Sequence, residues 1–239
     1  PLVKMISFTG STAVGKKIGE TCGRMLKKAA LELGGNNAQV VLEDADLDIA
    51  SSCGAWGSFL HQGQICMQTG RHLVHRSVAD EYIERLAARA GNLAYGNPAQ
   101  EQVHLGPLIN EVQAKRVEDI VNRSVEMGAR IVVGGKRNGN YYEATVISDV
   151  TPDMPVFSEE VFGPVAPVMT FDSDDNACSL VNESLYGLAA AIHSRSTERA
   201  LQIANQIQVG MIHINDQTVN NEFQVPFGGM GSSGNSGRF

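Results

Sequence analysis

Short apolar runs alternate with stretches of helical period along almost the whole of this 239-residue chain, and that alternation confines it to the α/β class. Val3–Phe8, Ala30–Leu33, Ala38–Leu42, His72–His75, Ile131–Val133, Val165–Phe171, Leu188–Ile192 and Met211–Ile214 read as strands. Between them the spacing predicts helices over Val14–Lys27, from Leu47 behind an Asp46 N-cap, and from Ser77 and Asp80. Further helices are predicted over Val112–Met127 up to Gly128, over Asn176–Asn182 and over Thr197–Ile207. Gly63–Cys66 reads as a turn, and Pro226–Gly237, rich in Gly and Ser, as a loop. No internal repeat, charge block or linker interrupts the pattern.

Composition narrows the partners. A net charge of −7 with no run of Lys and Arg argues against a nucleic-acid surface. No apolar stretch is long enough to span a bilayer, so no membrane is expected. Pro1–Phe8 also lacks the basic-then-apolar layout of a secretory signal. Cys22, Cys53, Cys66 and Cys178 are scattered, which is not a disulfide framework and suits a reducing, cytoplasmic setting. No metal is expected. Asp44-Ala-Asp46-Leu-Asp48 imitates the start of a calcium loop, but Ile49 and Ala55 stand where Gly and Glu are required. His72 and His75, three apart in a strand, point to opposite faces.

Three constellations carry chemistry. Gly10-Ser-Thr-Ala-Val-Gly15-Lys-Lys17 follows a strand and precedes a helix, so free N–H groups at the helix start can meet a phosphate. Lys17 stands where a nucleotide-triphosphate loop needs a hydroxyl, and a plain tight turn remains an alternative. Gln64-Ile-Cys66 puts a thiol in a polar turn beside Gly63 instead of on an apolar face, where backbone N–H groups can favour thiolate and oxyanion; the bland reading is a small buried hydrophobe. Leu31-Glu-Leu-Gly-Gly35 holds Glu32 between apolar residues, where desolvation raises a carboxyl toward general-base range. A salt-bridged Glu at a strand end is its alternative.

Phe8–Gly15, Leu31–Gly35, Gly63–Cys66, Glu159-Glu-Val-Phe-Gly-Pro-Val165 and Pro226-Phe-Gly-Gly229 stand in an order that resembles the aldehyde dehydrogenase superfamily. The resemblance implies Cys66 as nucleophile and Glu32 as general base, acting through a thiohemiacetal and a thioester on Cys66. It assigns Gly10, Ser11 and Gly15 to the phosphate side of NAD or NADP, and Leu33 and Gly34 to the nicotinamide. Glu160 then holds the nicotinamide ribose, with Phe162 beside the ring and Gln113 near the cofactor. The implied fold is an aldehyde dehydrogenase-like catalytic domain, an open sheet with helices on its faces. Residues 1–35 would be the last strand–helix–strand of a Rossmann-like cofactor domain, and 36–239 the catalytic domain, truncated before the oligomerisation strand. A dimer or tetramer of the full-length enzyme is implied.

Asn36 and Gly231 stand where many members have Lys, and Asn235–Arg238 is spaced differently from the common ending. With Gly70–His75 and His213–Asn220, these departures look like the benzaldehyde and vanillin dehydrogenase branch, so the expected substrate is an aromatic aldehyde. Ile65 and Met67 would flank a slot for its ring or serve core packing. Two alternatives stay open: a cofactor-independent thiol esterase or hydrolase, and a folded catalytic fragment inactive by itself.

Overall fold

The computed structural model describes residues 2–235. Its first unit is β1 (Met5–Thr9), α1 (Thr12–Arg24) and β2 (Lys28–Glu32). The two strands pair in parallel, with Thr9 beside Glu32, in a sheet of their own. Ser11 caps α1 through its side chain, and the helix stops at Arg24 instead of Lys27 because Leu26 turns left-handed at φ 51°.

The second unit runs through β3 (Asn37–Val41), α2 (Leu47–Phe59), β4 (Thr69–His75), α3 (Ala79–Gly91), α4 (Glu111–Glu126) and β5 (Arg130–Val133). A hairpin of β6 (Arg137–Asn138) and β7 (Tyr141–Tyr142) leads to β8 (Thr145–Ser148), α5 (Pro155–Ser158) and β9 (Val165–Phe171). Then come α6 (Asp174–Asn182), β10 (Tyr186–Gly187), β11 (Ala189–His193), α7 (Thr197–Ala204), β12 (Met211–Ile214) and β13 (Met230–Gly231). Seven strands form one sheet in the order β12-β11-β3-β4-β9-β8-β5, parallel except for the β5 edge. The expected α/β architecture of an open sheet with helices on its faces is what the chain adopts.

Period-two alternation sorts the core. Ala38, Val40, Leu42 and Leu73 face α4, α6 and α7, while Val41 and Val74 face α2 and α3. Every residue of β3 and β11 is buried, as strands covered on both faces must be. The expected Gly/Ser-rich loop is a partial correction. Met230–Gly231 pairs antiparallel with Tyr186–Gly187, and Ser233 O accepts from Leu33 N at 2.8 Å, so this segment ties the two units together. The last two residues of that loop, and the departures at 236–238, lie outside the described residues. Strand β8 and the β6–β7 hairpin are too short and too mixed in sequence to be seen by periodicity.

Among the described residues no helix is long and apolar enough to cross a membrane, no group of side chains is suited to a metal, and all four cysteines are free.

His72 explains itself once placed. It is fully buried, with Nε2 2.8 Å from Ser58 Oγ and Nδ1 2.8 Å from Tyr82 OH. Ser58 donates to Thr69 O, so Nε2 carries the proton and Nδ1 accepts from Tyr82, whose oxygen accepts in turn from Gln39. A neutral imidazole satisfies the network, and burial pushes its pKa down to about 3. Burial likewise lowers His193 to about 4. Both folded values lie below the ordinary 6.5, so the unfolded chain takes up protons that the folded chain refuses. Stability is complete above 6.5 and falls as the solution is acidified toward these lower values. Between pH 6.5 and about 5 each imidazole should cost about tenfold in the folding equilibrium per pH unit. Urea midpoints across this range check it; a flat series would show that the folded chain protonates them freely.

Candidate active site

The order of the large sheet assembles the site. Gly34-Gly35 precedes β3, Cys66 precedes β4 and Glu160–Phe162 precede β9, and these three parallel strands are neighbours. Their amino ends, and the segments entering them, therefore meet at one edge. The carboxyl ends of β1 and β2 bring Thr9-Gly10-Ser11 and Leu33 to the same place. The result is a cleft of about 720 Å³ lined by Thr9, Gly10, Ser11, Leu33, Gly34, Gln64, Ile65, Cys66, Gln113, Arg116, Glu160 and Phe162.

Of the residues singled out in the sequence, Gly10, Ser11, Leu33, Gly34, Cys66, Gln113, Glu160 and Phe162 line this cleft. Gly15 does not. It lies within α1, where an added Cβ would overlap the Leu33 side chain, so its part is to let the helix approach the end of β2. Glu32 is not in the lining either. It sits half-buried at the end of β2, its carbonyl accepting from Gly10 N at 3.0 Å, while its charge acts on the Cys66 thiol.

Cys66 follows a strained approach. His61, Gln62 and Gly63 take φ of 50°, 59° and 69°, three left-handed residues in succession. The first two cost about 1 kcal/mol or more each. At Gly63 a Cβ would overlap the Gly163 carbonyl, which excludes any side chain. The thiol beyond this turn is half-buried. Burial pushes its pKa above the usual thiol range, and the charges of Glu160 and then Glu32 push the same way. The backbone N–H groups of Cys66 and Met67 pull it back, without reversing the sum. The turn thus supplies the donors expected of it, but the net shift opposes thiolate. A base is needed.

Glu160 is held by a backbone contact, with Gly35 N donating to Oε1 at 2.8 Å. Burial raises its carboxyl, against the pull of that N–H and of Arg116. A Cβ on Gly34 would stand 2.5 Å from its Oε2, so the glycine leaves room for the carboxylate. Phe162 adopts φ 53° and is kept there from α4. Gln113 donates to Val161 O and Phe162 O at 3.2 and 2.9 Å, and Arg116 to Val161 O and Glu160 O at 2.9 Å each. Sequence reading missed Arg116, although it lies three residues from Gln113 and so on the same helix face.

The sequence matches the aldehyde dehydrogenase family over residues 1–239. The chain belongs to this family. Benzaldehyde dehydrogenase [NAD(+)] of Pseudomonas putida is 60% identical to it over 237 residues, covering 99% of this chain and 49% of that protein. Vanillin dehydrogenase of an Amycolatopsis strain is 53% identical over the same shares. A salicylaldehyde dehydrogenase from Pseudomonas putida G7, solved with salicylaldehyde, superposes at a TM-score of 0.95 with 38% identity, covering 99% of this chain and 49% of that one. The chain spans about half the length of the curated relatives it matches. The family motifs converge in space. Four contribute to the cleft, and the fifth supplies Phe227, which packs with Cys66 and Met67 against Leu188, Ala189 and Met211. The two residues flanking the thiol divide the roles open to them: Ile65 lines the cleft and Met67 joins this apolar cluster.

Proposed function

We propose that the protein, as part of a longer polypeptide, oxidises an aromatic aldehyde of the benzaldehyde or vanillin kind to its carboxylic acid with NAD or NADP. The observation that carries this is the convergence of the Cys66 thiol, the Glu160 carboxylate and the Gly10-Ser11 turn on one cleft. The residues fit a dinucleotide: the start of α1 offers N–H groups to phosphate, and the Gly34–Glu160 cradle leaves a carboxylate facing the cleft for ribose hydroxyls. When bound, the cofactor supplies the hydride acceptor.

Cys66 Sγ attacks the carbonyl carbon, its proton passing to Glu32, and the oxygen that gains charge is met by the Cys66 N–H. Glu32 passes the first proton to solvent; the thioester formed after oxidation is then attacked by water, whose proton Glu32 accepts and returns to the sulfur. The C–S bond breaks, releasing the acid and restoring the thiol. Relatives that act on benzaldehyde and vanillin support the aromatic substrate. The separate β1–β2 sheet supports a cofactor-domain remnant over 1–35 and a catalytic domain over 36–239. Val3, Met5, Met25 and Leu26 are exposed on that remnant, which supports inactivity of this chain by itself.

The test is cofactor reduction by the full-length protein with benzaldehyde, beside Glu32→Gln. The wild type should turn over. Glu32→Gln should lose the full burst of reduced cofactor and show a steady rate at least about 100-fold lower, because the protons of the thiol and of the attacking water both lose their acceptor. Ester cleavage through Cys66 with no cofactor reduction on any aldehyde would replace this reading with a thiol hydrolase. Preference for short aliphatic aldehydes would overturn the aromatic substrate.

A further inference from the structure

The three carbonyls that follow the nucleophile are each held by a buried side chain from elsewhere in the chain. Asn37 Nδ2, at the start of β3, donates to Cys66 O at 2.9 Å and to Gln68 O at 2.7 Å. Its Oδ1 accepts from Ala189 N at 2.9 Å, which fixes which end of the amide is which. Thr218 Oγ donates to Met67 O at 2.7 Å. That uses its one proton, so Thr69 Oγ, 2.8 Å away, must donate to Thr218. Asn37 and Thr218 are 2% and 0% exposed, where such bonds are least exchanged for water. Gly35 makes the approach possible, since a Cβ there would overlap the Cys66 carbonyl oxygen.

In a trans peptide the C=O and the N–H of one plane point in opposite directions. Holding Cys66 O toward Asn37 therefore turns the Met67 N–H away from it, and that N–H acts on the Cys66 thiol. The Thr218 bond fixes the next plane, so Met67 cannot rotate about either neighbour. We propose that Asn37 and Thr218 are positioning residues, which aim the Cys66–Met67 peptide so that its N–H supports the thiolate and the nucleophile stays aligned with the cleft. Neither side chain lines the cleft. The inference rests on Cys66 being the nucleophile.

The experiment compares Asn37→Ala, Thr218→Val and Thr218→Ser with Cys66→Ala in the full-length protein, reading aldehyde turnover and the pH dependence of Cys66 alkylation by iodoacetamide. Thr218→Val keeps the shape and loses only the hydroxyl, so it carries the test if Asn37→Ala does not fold. In both clamp variants the alkylation midpoint should move up by about one pH unit. The kcat should fall about 10- to 100-fold with the aldehyde KM little changed. Thr218→Ser should restore both. A merely structural role would lower thermal stability without moving the alkylation midpoint. If Cys66→Ala is dead but the clamp variants keep the wild-type midpoint and kcat, the clamp is refuted and the nucleophile stands. If Cys66→Ala still turns over aldehyde, the nucleophile reading falls and the clamp with it.

Discussion

Cys66→Ala is expected to remove at least about 10⁴-fold of aldehyde turnover while leaving the protein folded. The loss is large because Cys66 is the one cysteine lining the cleft among the described residues. Cys22 and Cys178 are buried in α1 and α6, and Cys53 is half-buried in α2. None of these can stand in. The fold tolerates the change because the thiol is half-buried and its loop is secured through backbone carbonyls, which alanine keeps. The sign of the pH effect follows from the surroundings. Burial, Glu160 and Glu32 hold the thiol protonated above its usual range, so alkylation of the cofactor-free wild type should still be rising with pH where an ordinary thiol has levelled off. Alkylation that levels off below the usual thiol range would contradict the local electrostatics. Retained turnover in Cys66→Ala would remove the nucleophile.

Arg71→Met is expected to destabilise the fold by about 3 kcal/mol or more, seen as a urea midpoint lower by about 1 M. Arg71 is 2% exposed in β4 and bonds no carboxylate among the described residues. Its fork instead donates to Asn36 O at 2.9 Å, Leu180 O at 2.8 Å and Val181 O at 3.2 Å. Its guanidinium lies 5.3 Å from the centre of the Phe157 ring. The carbonyls of Leu180 and Val181 belong to the last turn of α6, where the helix dipole favours a cation. Burial lowers the pKa to about 10, which leaves the charge intact at neutral pH. Methionine fills the space but strands three buried carbonyls. Asn36 loses its backbone anchor, and its side chain in turn bonds Phe157 O at 2.8 Å, so the change reaches the segments leading to Gly34 and Glu160. Arg71→Lys separates charge from geometry. A point ammonium cannot reproduce the planar fork, so it should recover less than half of the loss. Full recovery by lysine would show that charge alone matters there.

Much of this chain was legible in one dimension. The predicted strands at 38–42, 165–171, 188–192 and 211–214 fall within a residue of those observed, because burial leaves continuous apolar runs, on both faces in β3 and β11. The left-handed turn at Leu26 and the short β8 were not legible, since neither leaves a periodic trace. In the cleft, Cys66, Glu160 and Phe162 stood out by motif, whereas Arg116 needed only the observation that it shares a helix face with Gln113. Asn37 and Thr218 had no such signal. They lie 29 and 151 residues from the carbonyls they hold, and an Asn in a strand or a Thr in a loop is unremarkable until its partner is placed.

The sequence by itself determined the layers, through a periodicity that each element carries locally, and singled out the candidate reactive groups through their flanking glycines. The tertiary structure alone decided which groups meet. That depends on β3, β4 and β9 being neighbours with their amino ends aligned, a choice made by sheet order and crossovers, not by any short segment. It also decided the direction of the thiol's shift. The donors of the turn are local, but the burial and the two carboxylates that outweigh them arrive from three separate parts of the chain.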